Sequence, residues 1–532
     1  MSDALPAHYN FAHDVIERQG RERPDALALW WVSELDASER KLSFGQLSDE
    51  LRRASAFFAA QGIARGDRVL VILNRVPEWW IVMLGLIRLG AIPVPGTPLL
   101  TPKDIAYRIK AAAVRGLVTD AAGAAKVGEF AGLRFLVGDA QPGWLDFGAG
   151  VRAADANSKY MPSCSSDPGI IYFTSGTTGE AKMVLHTQVS YGLGHRATGQ
   201  WLDLGPSDVI WALADTGWAK TAWSNFFGPW LMGAAVFTLD MRGKFDPNAI
   251  LHTLARYPIT VFCCPATALR LLVRKELSGY RFPHLRHCVS AGEALNPPVF
   301  KAWREATGLD IYEGYGQSES VLMVGNFRSA GREIRPGSMG HAAPGFSLAI
   351  VDEDGHELPA GSVGQLAVRV EPQRPLGLFQ EYWRNVEENA ARFVGPWYLT
   401  GDTAKRDAEG YFWFVGRADD VINSASYRIG PGEVESALLE HPAVLECAAI
   451  GVPEEMRGEV VKAFVVLREN HAADERLKHE LQMHCKRVTA PYKYPRLIEF
   501  VGALPKTVSG KIRRTELRAR ERAHPADLRS RA

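Results

Sequence analysis

Three consecutive segments constrain the fold more than any other part of this chain. "DRVLVIL" from Asp67 is a short apolar run, "PEWWIVMLGLIRLG" from Pro77 is longer and reads as a helix, and "AIPVPG" from Ala91 is again short and turn-bounded. Length separates strand from helix here, so the order is strand, helix, strand, the unit that builds a parallel sheet through crossover helices. The oily core of the middle segment, "WWIVMLGLI" from Trp79, stops at Arg88, well short of the ~20 residues that span a bilayer, and is expected to be a buried helix. At 532 residues the chain exceeds what one core serves, so two or more domains are expected.

The texture then changes twice. After about Pro336, short strands and Gly-rich turns such as "FSLAIVDEDGHEL" and "GSVGQLAVRV" predict a small antiparallel unit. Past "GYFWFVGRADDVI" a compact α/β pattern begins, which places the last boundary near Asp419 and divides the chain into residues 1–418 and 419–532. The fold class expected is α/β.

Composition excludes several classes of function. A net charge of +1 leaves no global field for nucleic acid or an anionic membrane, and the basic tail "KIRRTELRARERAHPADLRSRA" interleaves its arginines with glutamates, reading as a solvated helix with a frayed end. Six cysteines without a CxxC fit reduced thiols in a cytoplasmic protein. The polar, acid-containing N-terminus resembles neither a signal nor a transit peptide. Hydrolase elbows (GxSxG), HExxH and a GxGxxG in a strand-to-helix setting are all missing.

Chemistry concentrates in a few loops. "YFTSGTTGEAKM" runs from an apolar strand into Thr174, Ser175, Gly176, Thr177, Thr178 and Gly179, with Lys182 three places further on. Glycines admit close backbone approach, successive amides form an anion nest, and a lysine adds a point charge. The spacing is not Walker A, because Lys182 is followed by Met183; alone, the stretch reads more readily as an exposed polar loop than as a binding loop. "YEGYGQSES" offers an aromatic, hydroxyls and an oxygen donor for a hard cation at Glu319. Asp402 in "YLTGDTA" is either an Asx-turn acceptor or a clamp for vicinal ribose hydroxyls, and Arg417 either a surface ion pair or a phosphate fork. Lys511 follows Ser509 and Gly510 on a tight turn, as a surface lysine or as a donor to transition-state charge.

Taken together and in order, "YFTSGTTGEAKM", "SAGEAL", "YEGYGQSES", "YLTGDTA", "GRADDVI", "YRIGPGEVE" and "LPKTVSGKIRR" resemble the adenylate-forming superfamily over most of the chain. "ATGQWLDLGPSDVIWALADTGWAK", "KFDP" and "VTAPYKYPR" resemble its medium-chain acyl-CoA synthetase branch. The resemblance implies a large N-terminal domain of two α/β subdomains with a small β-barrel, and a mobile C-terminal domain hinged near Asp419. It implies ATP, Mg2+ and CoA as cofactors, and two half-reactions: a carboxylate attacks the α-phosphate of ATP to give acyl-AMP and pyrophosphate, then the CoA thiol displaces AMP. A carboxylate is already ionised at neutral pH, so positioning and charge neutralisation suffice for the first step, and the missing catalytic triad is expected.

By the same resemblance, Thr174 to Lys182 is the triphosphate loop, with Lys182 catalytic, and Glu313, Gly314, Tyr315, Gly316, Gln317 and Ser318 line nucleotide and acyl carboxylate. Glu319 is the magnesium ligand, Asp402 the ribose clamp with Arg417 beside it, and Lys511 the adenylation lysine. Trp218 and Gly292 fall with Ser318 at the acyl substrate; for Trp218 plain core is the other reading. Ala425, Ser426, Tyr427, Arg428, Arg457, Lys486, Tyr494, Pro495 and Arg496 match positions that contact CoA. Ser426 stands where relatives usually carry Gly, Ala181 where they carry Pro, and Ser318 where they carry Thr. The partners implied are a small carboxylic acid and CoA, without nucleic acid or membrane insertion, and a homodimer is allowed. The alternatives are an adenylating enzyme that hands its acyl group to a carrier-protein thiol, and a nucleotide-binding regulator without catalysis.

Overall fold

The computed structural model describes residues 5–174, 181–243, 245–293, 295, 297–417, 420, 422–424, 427–454, 458–489, 493–506 and 511–523. The strand–helix–strand unit forms as the sequence predicts: Arg68–Ile72 and Ile92–Pro95 pair in parallel, joined by the helix Pro77–Leu89. They belong to a five-stranded parallel sheet completed by Gly116–Thr119, Leu133–Leu136 and Leu145–Asp146.

The helix Pro77–Leu89 shows why its sequence is apolar all round. Its residues from Trp79 to Arg88 are all buried, between the sheet and the helix Phe44–Ala60. Pro77 opens it at a position that needs no N–H, and Gly90 at φ +76° closes it. Gly85 lets the two helices close up, since a Cβ there would lie 2.7 Å from the Ala54 Cβ. The charge at its end is not wasted on water: Arg88, 5% exposed, donates from Nε to Glu17 at 2.6 Å.

A second, nine-stranded sheet carries most of the site. Its parallel strands run Ile311–Tyr315, His287–Ala291, Val261–Cys263, Val209–Ala212, Ala235–Asp240 and Leu27–Ser33, with short antiparallel strands at both edges. Pro168–Phe173 and Met183–Thr187 form an antiparallel hairpin extended by Glu381–Tyr382. The antiparallel unit predicted after Pro336 is present as Leu348–Val351, Val363–Arg369, Trp397–Arg406 and Phe412–Arg417 with the short strand Phe393–Val394.

Beyond Ile422 the buried side chains build cores of their own. Gly458–Leu467 pairs with Val444–Glu454 and with Leu497–Phe500, covered by the helices Pro431–Leu439 and Glu475–Val488. The C-terminal helix Arg514–Ala523 departs from the solvated helix expected of its charge pattern. It buries Leu517, Arg514 binds Glu435 at 2.7 Å, Arg518 pairs with Asp420, and Glu521 receives Lys462 at 2.5 Å. Its charges are spent on partners remote in sequence, which an isolated helical pattern does not reveal. All six cysteines are free thiols. Among the described residues no helix is long and apolar enough to cross a membrane.

Candidate active site

The hydroxyl-rich segment connects, in sequence, the two strands of the antiparallel hairpin. Phe173 pairs with Met183, and the Thr174 amide donates to the Lys182 carbonyl at 2.9 Å, closing the hairpin's mouth. Ser175, Gly176, Thr177, Thr178 and Gly179 lie outside the described residues. Lys182 itself is placed: its ammonium pairs with Glu388 and stands 5.5 Å from the centre of the Tyr382 ring.

Across from it, Ile311–Tyr315 leaves the nine-stranded sheet and delivers "GYGQSE" onto the antiparallel unit. Tyr315 donates its hydroxyl to Asp402 Oδ2 at 2.5 Å, and Gln317 Nε2 reaches the same oxygen at 2.6 Å and the Thr400 carbonyl at 3.0 Å. Arg417, opposite Asp402 in the ladder, brings Nε to 3.4 Å from Oδ1. Asp402 is 4% exposed, and burial holds its carboxyl above the usual range against the pull of Arg417, Tyr315, Gln317 and Lys511. Lys511 is thus near enough for its charge to be felt at Asp402, although 109 positions separate them in the numbering of the chain. Gly314 and Gly316 are positions where side chains would collide with Trp201 and Trp223 respectively.

Glu319 follows at once. Its carboxylate accepts from the Tyr382 hydroxyl at 2.7 Å, and burial pushes its carboxyl up. An anionic oxygen donor in such a place is favoured by a hard cation, which takes one or two carboxylates and completes its shell with phosphate and water, so the residue fits magnesium. Ser318 is held from behind by His186, whose Nε2 lies 2.7 Å from the Ser318 carbonyl; burial lowers the His186 pKa to about 3, so this ring is neutral. Glu313 is turned inward: it is buried, accepts from the Leu295 amide at 3.0 Å, and burial raises its carboxyl to about 8. It therefore ties the "SAGEAL" turn to the strand.

Gly292 follows the strand His287–Ala291 with φ +101°, exposed and with open space where a Cβ would be. Trp218 is half-buried and precedes the helix Ala219–Asn225, which distinguishes it from the fully buried tryptophans of the core. Lys220 on that helix donates to the Ala291 carbonyl at 3.0 Å, beside Gly292.

Of the positions matched to CoA contacts, Ala425, Ser426 and Arg457 lie outside the described residues, and Tyr427 and Arg428 are described as strand backbone paired with Ser424 and Asn423. The remainder come together: Lys486 Nζ sits 4.1 Å from the centre of the Tyr494 ring and the Arg496 guanidinium 5.2 Å from it, with Pro495 buried between. A ring flanked by two cations offers both stacking and charge.

His186, Tyr382, Glu388 and Arg392 are close to this site and belong to none of the sequence motifs. Tyr382 sits in "FQEYWRN", a stretch without a glycine or repeated hydroxyls, and only the sheet pairing of Tyr382 with Val184 brings it to Lys182.

A parallel α/β body, an antiparallel unit bearing a buried aspartate and a distal lobe that presents a lysine to it define an adenylate-forming enzyme. The comparisons agree. The model of the AMP-binding enzyme family matches residues 16–383, and that of the AMP-binding enzyme C-terminal domain matches residues 433–511. Human acyl-coenzyme A synthetase ACSM5, mitochondrial, is 47% identical over 97% of this chain and 91% of its own length. Mouse acyl-coenzyme A synthetase ACSM3, mitochondrial, is 46% identical over the same shares. Among solved structures, the anthranilate CoA ligase AuaEII in complex with anthranoyl-AMP superposes with a TM-score of 0.88 at 32% identity, over 98% of this chain and 99% of its own. A benzoate CoA ligase from Burkholderia xenovorans LB400 gives 0.84 at 27% identity, over 96% and 100%. The chain belongs to the AMP-binding enzyme family, in its medium-chain acyl-CoA synthetase branch.

Proposed function

We propose that this enzyme is an ATP-dependent, AMP-forming ligase that joins a medium-chain fatty or aryl carboxylic acid to CoA through an acyl-adenylate. The observation that carries the assignment is the convergence on Asp402 of Tyr315 and Gln317 from the large sheet, Arg417 from the neighbouring strand and the charge of Lys511 from the distal lobe.

In this reading Asp402 orients the ribose, and Thr174 and Lys182 flank the loop that holds the β- and γ-phosphates. Glu319 would hold the magnesium ion, which when bound neutralises charge on the phosphates. The acid lies between Trp218, Gly292 and Ser318, its carboxylate facing the α-phosphate, where Lys511 donates to the oxygens that gain charge as pyrophosphate departs. No protein nucleophile is needed, because substrate positioning converts a bimolecular attack into a local one. The half-buried Trp218 bounds the acyl pocket, which suits medium aliphatic or aryl acids. In the second step the distal lobe, residues 419–532, turns to bring CoA along Lys486, Tyr494 and Arg496, whose cations match its phosphates.

Lys511→Ala is expected to cut acid-dependent exchange of labelled pyrophosphate into ATP by roughly 100-fold or more while sparing thioester formation from supplied acyl-AMP and CoA. Equal loss of both steps would contradict the division of labour. Normal exchange with a panel of acids, but no thioester with CoA, would transfer the assignment to a carrier-protein thiol.

A further inference from the structure

The pair between Lys182 and Glu388 is not a loose surface contact. The two side chains are 27% and 20% exposed, and Glu388 also accepts from Arg392 Nε at 3.0 Å. Three hydrogen bonds fix its helix, Val386–Arg392. The Asn385 side chain accepts from the Glu388 amide at 3.0 Å, and Asn389 exchanges two bonds, of 2.8 and 2.9 Å, with the Tyr382 backbone. Tyr382 is in turn paired with Val184, two residues beyond Lys182 along the chain. At the other end of the helix Arg392 lies where a Cβ on Gly401 would be, directly before Asp402. One short helix therefore touches the lysine at the phosphate loop and the strand that carries the ribose clamp.

We propose that Glu388 is a positioning residue that competes with the triphosphate for Lys182. The inference rests on the reading of Lys182 as a phosphate ligand. A carboxylate in this place occupies the ammonium, so ATP must outbid it, and the lysine has a partner to return to when pyrophosphate leaves. Lys182 and Arg392 together outweigh burial and hold the Glu388 carboxyl below its usual range, so it is an anion throughout the neutral region.

The test measures KM for MgATP and kcat in pyrophosphate exchange, with tripolyphosphate as a competitive inhibitor. The variants are Glu388→Gln, Glu388→Ala, Lys182→Met and the double variant Glu388→Gln/Lys182→Met. Glu388→Gln keeps the size and the helix, and is expected to lower KM for MgATP and the inhibition constant of tripolyphosphate about fivefold, with kcat within about twofold. Glu388→Ala should move both constants the same way. In the Lys182→Met background, Glu388→Gln should change neither constant, because the partner it frees is gone. An unchanged or raised KM in Glu388→Gln, with Lys182→Met impaired in MgATP binding, overturns this inference alone. A Lys182→Met enzyme with the normal KM for MgATP overturns the phosphate role of Lys182, and this inference with it.

Discussion

Glu313 keeps its proton near neutral pH because burial disfavours its charge, which raises the carboxyl from 4.5 to about 8. The folded chain then holds a proton that the unfolded chain releases between those two values, so stability falls as pH rises through that window, with a limiting slope of about 1.4 kcal/mol per pH unit for one proton. Glu313→Gln removes the titrating group while keeping an acceptor for the Leu295 amide. Urea midpoints measured from pH 5 to pH 8 should fall less steeply for the variant than for the parent; parallel profiles would refute the assignment. The motif "YEGYGQSES" announced this residue as part of the site, but its type could not say which way the side chain turns. A glutamate between a tyrosine and a glycine is as ready to line a ligand as to cap a buried turn, and only the packing of the "SAGEAL" segment against the strand decides it.

Elements were legible where burial imposes a period. The helix Pro77–Leu89 was readable because full burial demands apolar residues on every face, and its ends were marked by Pro77 and Gly90. Its close partner was not, since nothing local announces that Gly85 faces Ala54. Filling that contact tests its importance: Gly85→Leu should destabilise the protein by about 1–3 kcal/mol through overpacking, seen as a lower urea midpoint with unchanged KM for ATP in the folded fraction. The helix Arg514–Ala523 illustrates the opposite limit. Alternating charges suit a solvated face, yet here they meet Asp420, Glu435 and Lys462, partners between roughly 60 and 100 residues away that no pattern within the helix encodes. The short helix Val386–Arg392 was likewise silent, because what matters in it is a contact with Lys182, some 200 residues earlier.

At the scale of the molecule, the distal lobe is seated on the body through backbone. Gly430 precedes the helix Pro431–Leu439, and a Cβ there would overlap the Val415 carbonyl of the strand that ends at Arg417. Backbone does not yield as a side-chain tip would, so Gly430→Ala should displace the lobe from the arrangement that brings Lys511 towards Asp402. Pyrophosphate exchange should fall on the order of tenfold or more, while thioester formation from supplied acyl-AMP falls less. Equal effects on both would show the seat to be shared by the two steps. Asp402 is the point at which body, antiparallel unit and lobe meet, and both of its oxygens already have protein partners. On the proposed reading of Asp402 as the ribose clamp, an incoming sugar swaps bonds there more than it adds them, and stripping a hydroxyl from that sugar returns the oxygen to Tyr315 and Gln317 instead of leaving it bare. Strict rejection of deoxynucleotides requires a buried acceptor left stranded, and among the described residues both Asp402 oxygens keep protein partners, so a ribose clamp at Asp402 is expected to be lenient towards the sugar.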